Sequence, residues 1–88
     1  MPETEASVKD QIRQWVMETA DRKGVEVTSD EESLMASGVI DSLAIFRLVS
    51  FLEETFQLRV ADEEIVNDNF KSVNEIERFV TGKLASKP

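Results

Sequence analysis

Apolar residues recur at helical spacing in three stretches of the sequence, and this periodicity limits the possible fold more than any other feature. The spacing predicts helices over about 5–22, 42–56 and 72–85. The residues expected on their buried faces are Val8, Ile12, Trp15, Val16, Thr19, Ile45, Leu48, Val49, Leu52, Phe56, Val73, Ile76, Phe79, Val80 and Leu84. A short helical turn is predicted over 62–66, with its acidic residues at the positive end of the helix dipole. We therefore expect an all-α fold.

Glycine and cap residues mark the expected helix ends. Gly24 ends the first helix, because glycine readily takes the left-handed conformation that follows a last helical turn. Asp41 is the predicted N-cap of the second helix, which makes Ser42 its first residue. Ser72 and Glu75 have the spacing of a capping box at the start of the last helix. Between Gly24 and Asp41 the periodicity is lost, which predicts a long ordered loop of the kind that often carries function.

Composition excludes most enzyme chemistry and several classes of partner. The chain has no cysteine and no histidine, so it offers no thiol nucleophile, no imidazole base and few zinc ligands. Its formal charge of −8 disfavours nucleic acid and favours basic partners. No apolar run approaches the roughly 20 residues that span a bilayer, and the acidic start is unlike a secretory signal, so we expect a cytoplasmic protein. A chain this short buries one core, which predicts a single domain over 1–88.

The most informative position is Ser42, at the predicted start of the second helix. A glycine turn and the Asp41 cap lead into it. Free N–H groups and the positive end of the helix dipole would favour a phosphate ester there, while the hydroxyl points outward for modification. From Asp41 and Ser42 alone, however, an ordinary helix start is the better explanation, because both are common cap residues.

The wider sequence around Ser42 changes that balance. The run Gly38-Val39-Ile40-Asp41-Ser42-Leu43 closely resembles the phosphopantetheine attachment motif of stand-alone acyl, peptidyl, aminoacyl and D-alanyl carrier proteins. Residues 53–60 are similar to the end of the family's second helix and the loop after it, and 69–73 to the lead into its last helix. The resemblance implies a four-helix bundle of acyl-carrier type with a long first loop and a short third helix. It also implies that Ser42 carries 4′-phosphopantetheine, transferred from coenzyme A.

By the same resemblance, the chain is a substrate carrier for enzymes and has no catalytic residue or metal ligand of its own. Acyl or aminoacyl groups would be held as thioesters on the thiol of the arm. The implied partners are a phosphopantetheinyl transferase, an acyl- or aminoacyl-loading enzyme and downstream transferases, with no nucleic acid and no membrane insertion. The carrier is expected to be a monomer. The sequence does not distinguish between fatty acyl, polyketide, aminoacyl and D-alanyl groups as the cargo. It also does not show whether the acyl chain is sequestered in the bundle.

Four residues near the attachment position are predicted to contact partner enzymes: Asp41, Leu43, Phe46 and Arg47. Leu43 is an apolar residue on a polar helix face, where carriers of this family typically offer a hydrophobic contact. Fatty-acid carriers tend to have acidic residues where this chain has Ala44 and Arg47, so its charge matches a fatty-acid synthase less well. We therefore expect a specialised lipid or secondary-metabolite pathway. Arg47 could equally be a solvated residue that pairs with Glu54 or Asp62.

Two other functions compete with the carrier interpretation. One is an interaction bundle that has the carrier fold but is never modified. The other is a calcium-binding helix-loop-helix, since acidic residues cluster at 30–32 and 62–64. Neither cluster has the alternating ligands, central glycine and closing glutamate of an EF-hand loop, so the sequence disfavours calcium binding.

Overall fold

The part of the chain that the structure describes contains four α-helices and two 3₁₀ turns, joined by loops. This structure is a computed structural model, and it describes residues 7–86 apart from the side chain of Asn67. The helices are α1 (Val8–Lys23), α2 (Leu34–Ser37), α3 (Ala44–Phe56) and α4 (Val73–Ser86), and the turns are Asp62–Glu64 and Asn67–Asn69. The all-α, acyl-carrier-type bundle is confirmed. Within residues 7–86, none of the helices combines the length and the apolar character that crossing a bilayer requires.

The helices enclose one apolar core. Its fully shielded side chains come from α1, α2, α3, α4 and the segments between them: Ile12, Val16, Leu34, Val39, Ile40, Leu48, Leu52, Phe70, Val73, Ile76 and Val80. Half-buried aromatic rings lie around this core. Phe79 meets Phe70 edge to face, with 5.3 Å between the ring centroids. Trp15 of α1 stacks on Phe51 of α3 at 6.0 Å, so aromatic packing joins these two helices near the surface.

The first helix begins and ends close to the predicted positions. Ser7 is its N-cap, and the Ser7 hydroxyl accepts a hydrogen bond from the Asp10 N–H at 3.1 Å. Glu5 and Ala6, which the prediction included, lie outside the described residues. The helix ends at Lys23, one residue later than predicted, because Gly24 has a left-handed backbone with φ of 71°.

The predicted long loop contains a helix that the sequence pattern did not indicate. Helix α2 is a single turn, with the Ser33 hydroxyl accepting from the Ala36 N–H at 3.2 Å and Gly38 ending it at φ of 90°. Leu34 is fully buried, and its N–H donates to the Lys71 carbonyl at 2.8 Å. One helical turn is too short to show apolar periodicity, so this element depends on its tertiary contacts.

Asp30 fixes the middle of the same loop to the bundle. Its carboxylate accepts from the Arg13 guanidinium at 2.6 and 3.1 Å, and its carbonyl accepts from the Asn74 N–H at 3.0 Å. The hydrogen bonds from Arg13 lower the pKa of Asp30 below its usual value. The loop is therefore tied to α1 and to the start of α4 before it reaches Ser42.

The prediction that the second helix begins at Ser42 was wrong by two residues. The helix begins at Ala44, and residues 42 and 43 form a turn. The Phe46 N–H donates to the Leu43 carbonyl at 3.2 Å, three residues back, which tightens this first turn. The predicted end at Phe56 agrees with the structure.

The predicted helical turn over 62–66 was also wrong in detail, because a shorter 3₁₀ turn, Asp62–Glu64, stands in its place and a second 3₁₀ turn follows at Asn67–Asn69. The Ile65 N–H donates to the Asp62 carbonyl at 3.1 Å, which closes the first turn after three residues. The Glu64 carboxylate accepts from the Ala61 N–H at 2.8 Å and from Lys83 of α4 at 2.8 Å. These contacts hold the segment against α4 in the tighter geometry and lower the pKa of Glu64.

The last helix begins one residue after the predicted start. The Ser72 hydroxyl accepts from the Glu75 N–H at 3.3 Å, as a capping box requires. The Glu75 carboxylate binds Arg78 at 2.8 Å, where the capping box would direct it back to the Ser72 N–H. The helix continues to Ser86, one residue beyond the prediction.

Candidate functional site

The turn between α2 and α3 has a buried part followed by an exposed part. Val39 and Ile40 are fully buried, and the Ile40 N–H donates to the Leu34 carbonyl at 3.1 Å. The three residues that follow, Asp41, Ser42 and Leu43, are exposed. Two core residues thus anchor the turn while the predicted attachment position lies at the surface.

Asp41 caps the start of α3 through one carboxylate oxygen. Its Oδ1 accepts from the N–H groups of Leu43 at 3.0 Å and Ala44 at 2.7 Å, and its carbonyl accepts from the Ile45 N–H at 3.1 Å. The N–H of Ala44, the Lys23 ammonium and the N–H of Leu43 lower the pKa of Asp41 from its ordinary 3.8 to about 2. The carboxylate is therefore ionised at neutral pH.

This arrangement corrects the expectation that free N–H groups at the helix start would hold a phosphate. Asp41 already satisfies the N–H groups of Leu43, Ala44 and Ile45. What remains for an anion at this position is the positive end of the α3 dipole, without an open set of donors.

The sequence prediction missed Lys23, which joins the end of α1 to this turn. Its ammonium donates to the Gly38 carbonyl at 3.2 Å and to Asp41 Oδ2 at 2.9 Å. The two oxygens of Asp41 thus contact different elements, Oδ1 the start of α3 and Oδ2 the end of α1. The only sequence signal was a basic residue in the last turn of α1, which helix-dipole stabilisation explains equally well.

Ser42 has an exposed hydroxyl that forms no hydrogen bond with any residue in the described part of the chain. A phosphodiester on the Ser42 hydroxyl would break no hydrogen bond in that part of the chain. The turn around Ser42 therefore fits an attached arm that extends into solvent. No base contacts the hydroxyl, and residues 7–86 contain no group of three or more acidic residues arranged to hold a metal.

The other predicted contact residues lie on the outward side of α3. Leu43 is 73% exposed and Phe46 58% exposed. Arg47 is also exposed, and among the described residues its side chain pairs with neither Glu54 nor Asp62. Ala44 is different, because it is only 6% exposed and packs at the edge of the core. Its lack of charge therefore has a packing reason and says little about the choice of partner.

Comparison with known proteins agrees with this geometry. Residues 10–80, which include Ser42, match the family described as the phosphopantetheine attachment site. The chain belongs to this carrier-protein family. It is 36% identical over 67 residues to D-alanyl carrier proteins of Streptococcus pyogenes serotypes M5 (strain Manfredo) and M1, covering 74% of this chain and 85% of each relative. No solved structure matches the chain significantly.

Membership in the family confirms the carrier role and the prosthetic group. The protein is a carrier for covalently attached 4′-phosphopantetheine, and its function is to hold substrates for enzymes. When bound, that group supplies the thiol that the cysteine-free chain lacks. Residues 38–43 contribute a turn fixed by Val39, Ile40 and the Lys23–Asp41 pair, from which the Ser42 hydroxyl projects.

Proposed function

We propose that Ser42 is the residue that carries 4′-phosphopantetheine. The observation that supports this best is its exposed hydroxyl, which has no hydrogen-bond partner in the part of the chain that the structure describes, on a turn that is fixed on both sides. In the modification, Ser42 Oγ forms an ester bond to the phosphorus of the pantetheine phosphate in coenzyme A. The bond from that phosphorus to adenosine 3′,5′-diphosphate breaks, and the hydroxyl proton passes to a base of the transferase.

Intact-mass measurement tests this assignment directly. Purified protein incubated with a broad-specificity phosphopantetheinyl transferase, coenzyme A and magnesium is expected to gain the mass of one phosphopantetheine. Ser42→Ala should gain nothing. Ser50→Ala is the matched control, because Ser50 is an exposed serine of α3, the helix that follows Ser42, and the variant should be modified like the wild type. An unmodified wild type, beside a known carrier that is modified, would favour the unmodified interaction bundle.

We propose an aminoacyl cargo, with D-alanine the first to test. The support is the similarity to D-alanyl carrier proteins, together with a cation at Arg47 where fatty-acid carriers tend to have acidic residues. The modified protein would be incubated with cell extract, ATP and an amino-acid mixture, and its thioester identified by mass spectrometry. Release of the alanyl group by hydroxylamine, as alanine hydroxamate with the free thiol left on the arm, supports the proposal. A fatty acyl or polyketide group on the arm would contradict it and identify another pathway.

We propose that partner enzymes dock on the outward side of α3 beside Ser42. Leu43 and Phe46 supply exposed apolar contacts, and Arg47 supplies a cation that has no partner within residues 7–86. Asp41 borders this surface with a side chain that is 58% exposed, although Lys23 and the start of α3 occupy its carboxylate. The partners fitting this role are the transferase, an adenylating or acyl-loading enzyme and downstream transferases.

We also propose that the carrier acts in the cytoplasm, as a monomer, with residues 1–88 forming one carrier domain. The single apolar core shared by α1, α2, α3 and α4 supports one domain. Sedimentation equilibrium over a range of concentrations tests the monomer, and a mass above that of one chain would contradict it.

A further inference from the structure

Lys23 and Arg22 are neighbouring cations at the end of α1 with different surroundings. The Lys23 ammonium binds the Gly38 carbonyl and the Asp41 carboxylate, at 3.2 and 2.9 Å. Arg22 is exposed, and its side chain has no hydrogen bond or ion pair among the described residues. Both residues lie in the last turn of the helix and interact alike with its dipole. The chain thus contains a matched pair in which one cation contacts the Ser42 turn and the other does not.

The ion pair between Lys23 and Asp41 affects how the turn tolerates a new negative charge at Ser42. A phosphodiester on Ser42 adds a negative charge next to the Asp41 carboxylate, in a chain that already has a formal charge of −8. Adjacent residues lie within the Debye length of about 8 Å at physiological salt, so this repulsion is not fully screened. Lys23 is the cation already bound to Asp41, and it offsets the repulsion.

We infer that Lys23 is a positioning residue for the prosthetic arm, holding the 38–43 turn and balancing the charge of Asp41 beside the phosphodiester on Ser42. The inference rests on the proposed attachment at Ser42. If the inference is right, Lys23 stabilises the folded state of the modified protein more than that of the unmodified protein. A merely structural contact would stabilise both forms equally.

The test compares urea unfolding of the modified and unmodified forms of wild type, Lys23→Met, Lys23→Arg and Arg22→Met. Attachment of the arm should raise the unfolding equilibrium constant of Lys23→Met about two- to fivefold more than that of wild type, the range of an exposed ion pair. Arg22→Met should behave like wild type, and Lys23→Arg should recover most of the difference. The extra effect should shrink in 1 M salt, where the Debye length is about 3 Å.

A charge surrogate repeats the comparison without the transferase. Ser42→Glu introduces an anion at the site in the unmodified protein, and it should destabilise Lys23→Met more than it destabilises wild type or Arg22→Met. Intact mass separates the two ways of failing. An unmodified wild type overturns the attachment at Ser42, and the modified-form role of Lys23 with it. A modified wild type in which Lys23→Met and Arg22→Met respond alike overturns only the role of Lys23.

Discussion

Helices α1 and α3 have similar inward faces and very different outward faces. Each buries a stripe of aliphatic residues in the common core. On the outward side of α1, the charged groups mostly have partners: Arg13 binds Asp10 and Asp30, and Lys23 binds Asp41. The outward side of α3 begins with two exposed hydrophobic residues and a cation that has no partner among the described residues, namely Leu43, Phe46 and Arg47.

The difference separates a surface whose charged groups hold the fold together from the surface that we propose for docking. The α1 charges fix the long loop and the Ser42 turn from one side. The exposed apolar side chains of Leu43 and Phe46 contribute little to the core, and they lie next to Ser42, the proposed attachment position. Exposed apolar groups beside a functional residue are typical of a docking surface.

The inward faces of α1 and α3 should contribute equally to the free energy of unfolding. Truncating a core side chain on either face is the change for which we expect the largest effect. Ile12 of α1 and Leu52 of α3 are fully buried, so Ile12→Ala and Leu52→Ala should each lower the free energy of unfolding by about 2–5 kcal/mol. Urea unfolding followed by circular dichroism measures both. A loss below about 1 kcal/mol for either variant would show that its helix is not part of the cooperative core.

The outward faces should differ in function but not in stability. Phe46→Ala should reduce kcat/KM for modification or loading about tenfold, the size expected for an aromatic contact at an interface. Met17→Ala is the matched control, because Met17 is an exposed hydrophobic residue of α1, at 46% against 58% for Phe46. It should change kcat/KM less than about twofold, and both variants should unfold within about 0.5 kcal/mol of wild type. Equal losses of kcat/KM would remove the distinction between the two faces.

The sequence was sufficient for features that depend on local spacing. The inward stripes of α1, α3 and α4, the end of α1 at Gly24 and the end of α3 at Phe56 follow from periodicity and cap chemistry. Helix α2 was missed because its four residues are stabilised by a contact from Leu34 to Lys71 across the fold. The signal that could have indicated it is a cap residue, Ser33, followed by a glycine at 38.

The sequence predicted where the candidate site lies in the chain, but it did not predict the contacts that hold the site in place. Gly38 to Leu43 identified the exposed turn, and the match to the family agrees with the motif. The contact between Lys23 and Asp41 spans 18 residues, so it depends on how α1 and α3 come together. The expected phosphate cradle failed because Asp41 binds the N–H groups that it would have used. Competition between neighbouring side chains for the same donors is not visible in a sequence pattern.

The inward face of α1 also differs from that of α3 by one polar group. Thr19 is 5% exposed, and its hydroxyl has no hydrogen-bond partner among the described residues. Valine has the same branched shape, so Thr19→Val should raise the free energy of unfolding by about 1 kcal/mol by removing the cost of burying that hydroxyl. Thr81→Val is the control, because the exposed Thr81 hydroxyl donates to the Arg78 carbonyl, and the change should be below about 0.5 kcal/mol. A destabilised Thr19→Val would mean that the hydroxyl has a bound partner such as water.

The link between the two helices at Asp41 should have a small, directional dependence on pH. The pKa of Asp41 is lowered to about 2 in the folded chain, so the unfolded chain binds a proton there more readily as the pH falls. The stabilisation from Asp41 is therefore complete above its ordinary pKa of 3.8 and is lost as the pH falls towards about 2. Asp41→Asn removes this dependence while leaving a side-chain oxygen that accepts from the N–H groups of Leu43 and Ala44.

Urea unfolding of wild type and Asp41→Asn between pH 6 and pH 2.5 measures the effect. The other carboxylates titrate in both proteins, so the difference between the two curves isolates Asp41. We expect wild type to be the more stable at pH 6 and its advantage to shrink steadily below about pH 4, because protonation removes both the pairing with Lys23 and the charge-assisted cap. Curves that stay parallel over this range would show that the link from α1 to α3 does not depend on the charge of Asp41.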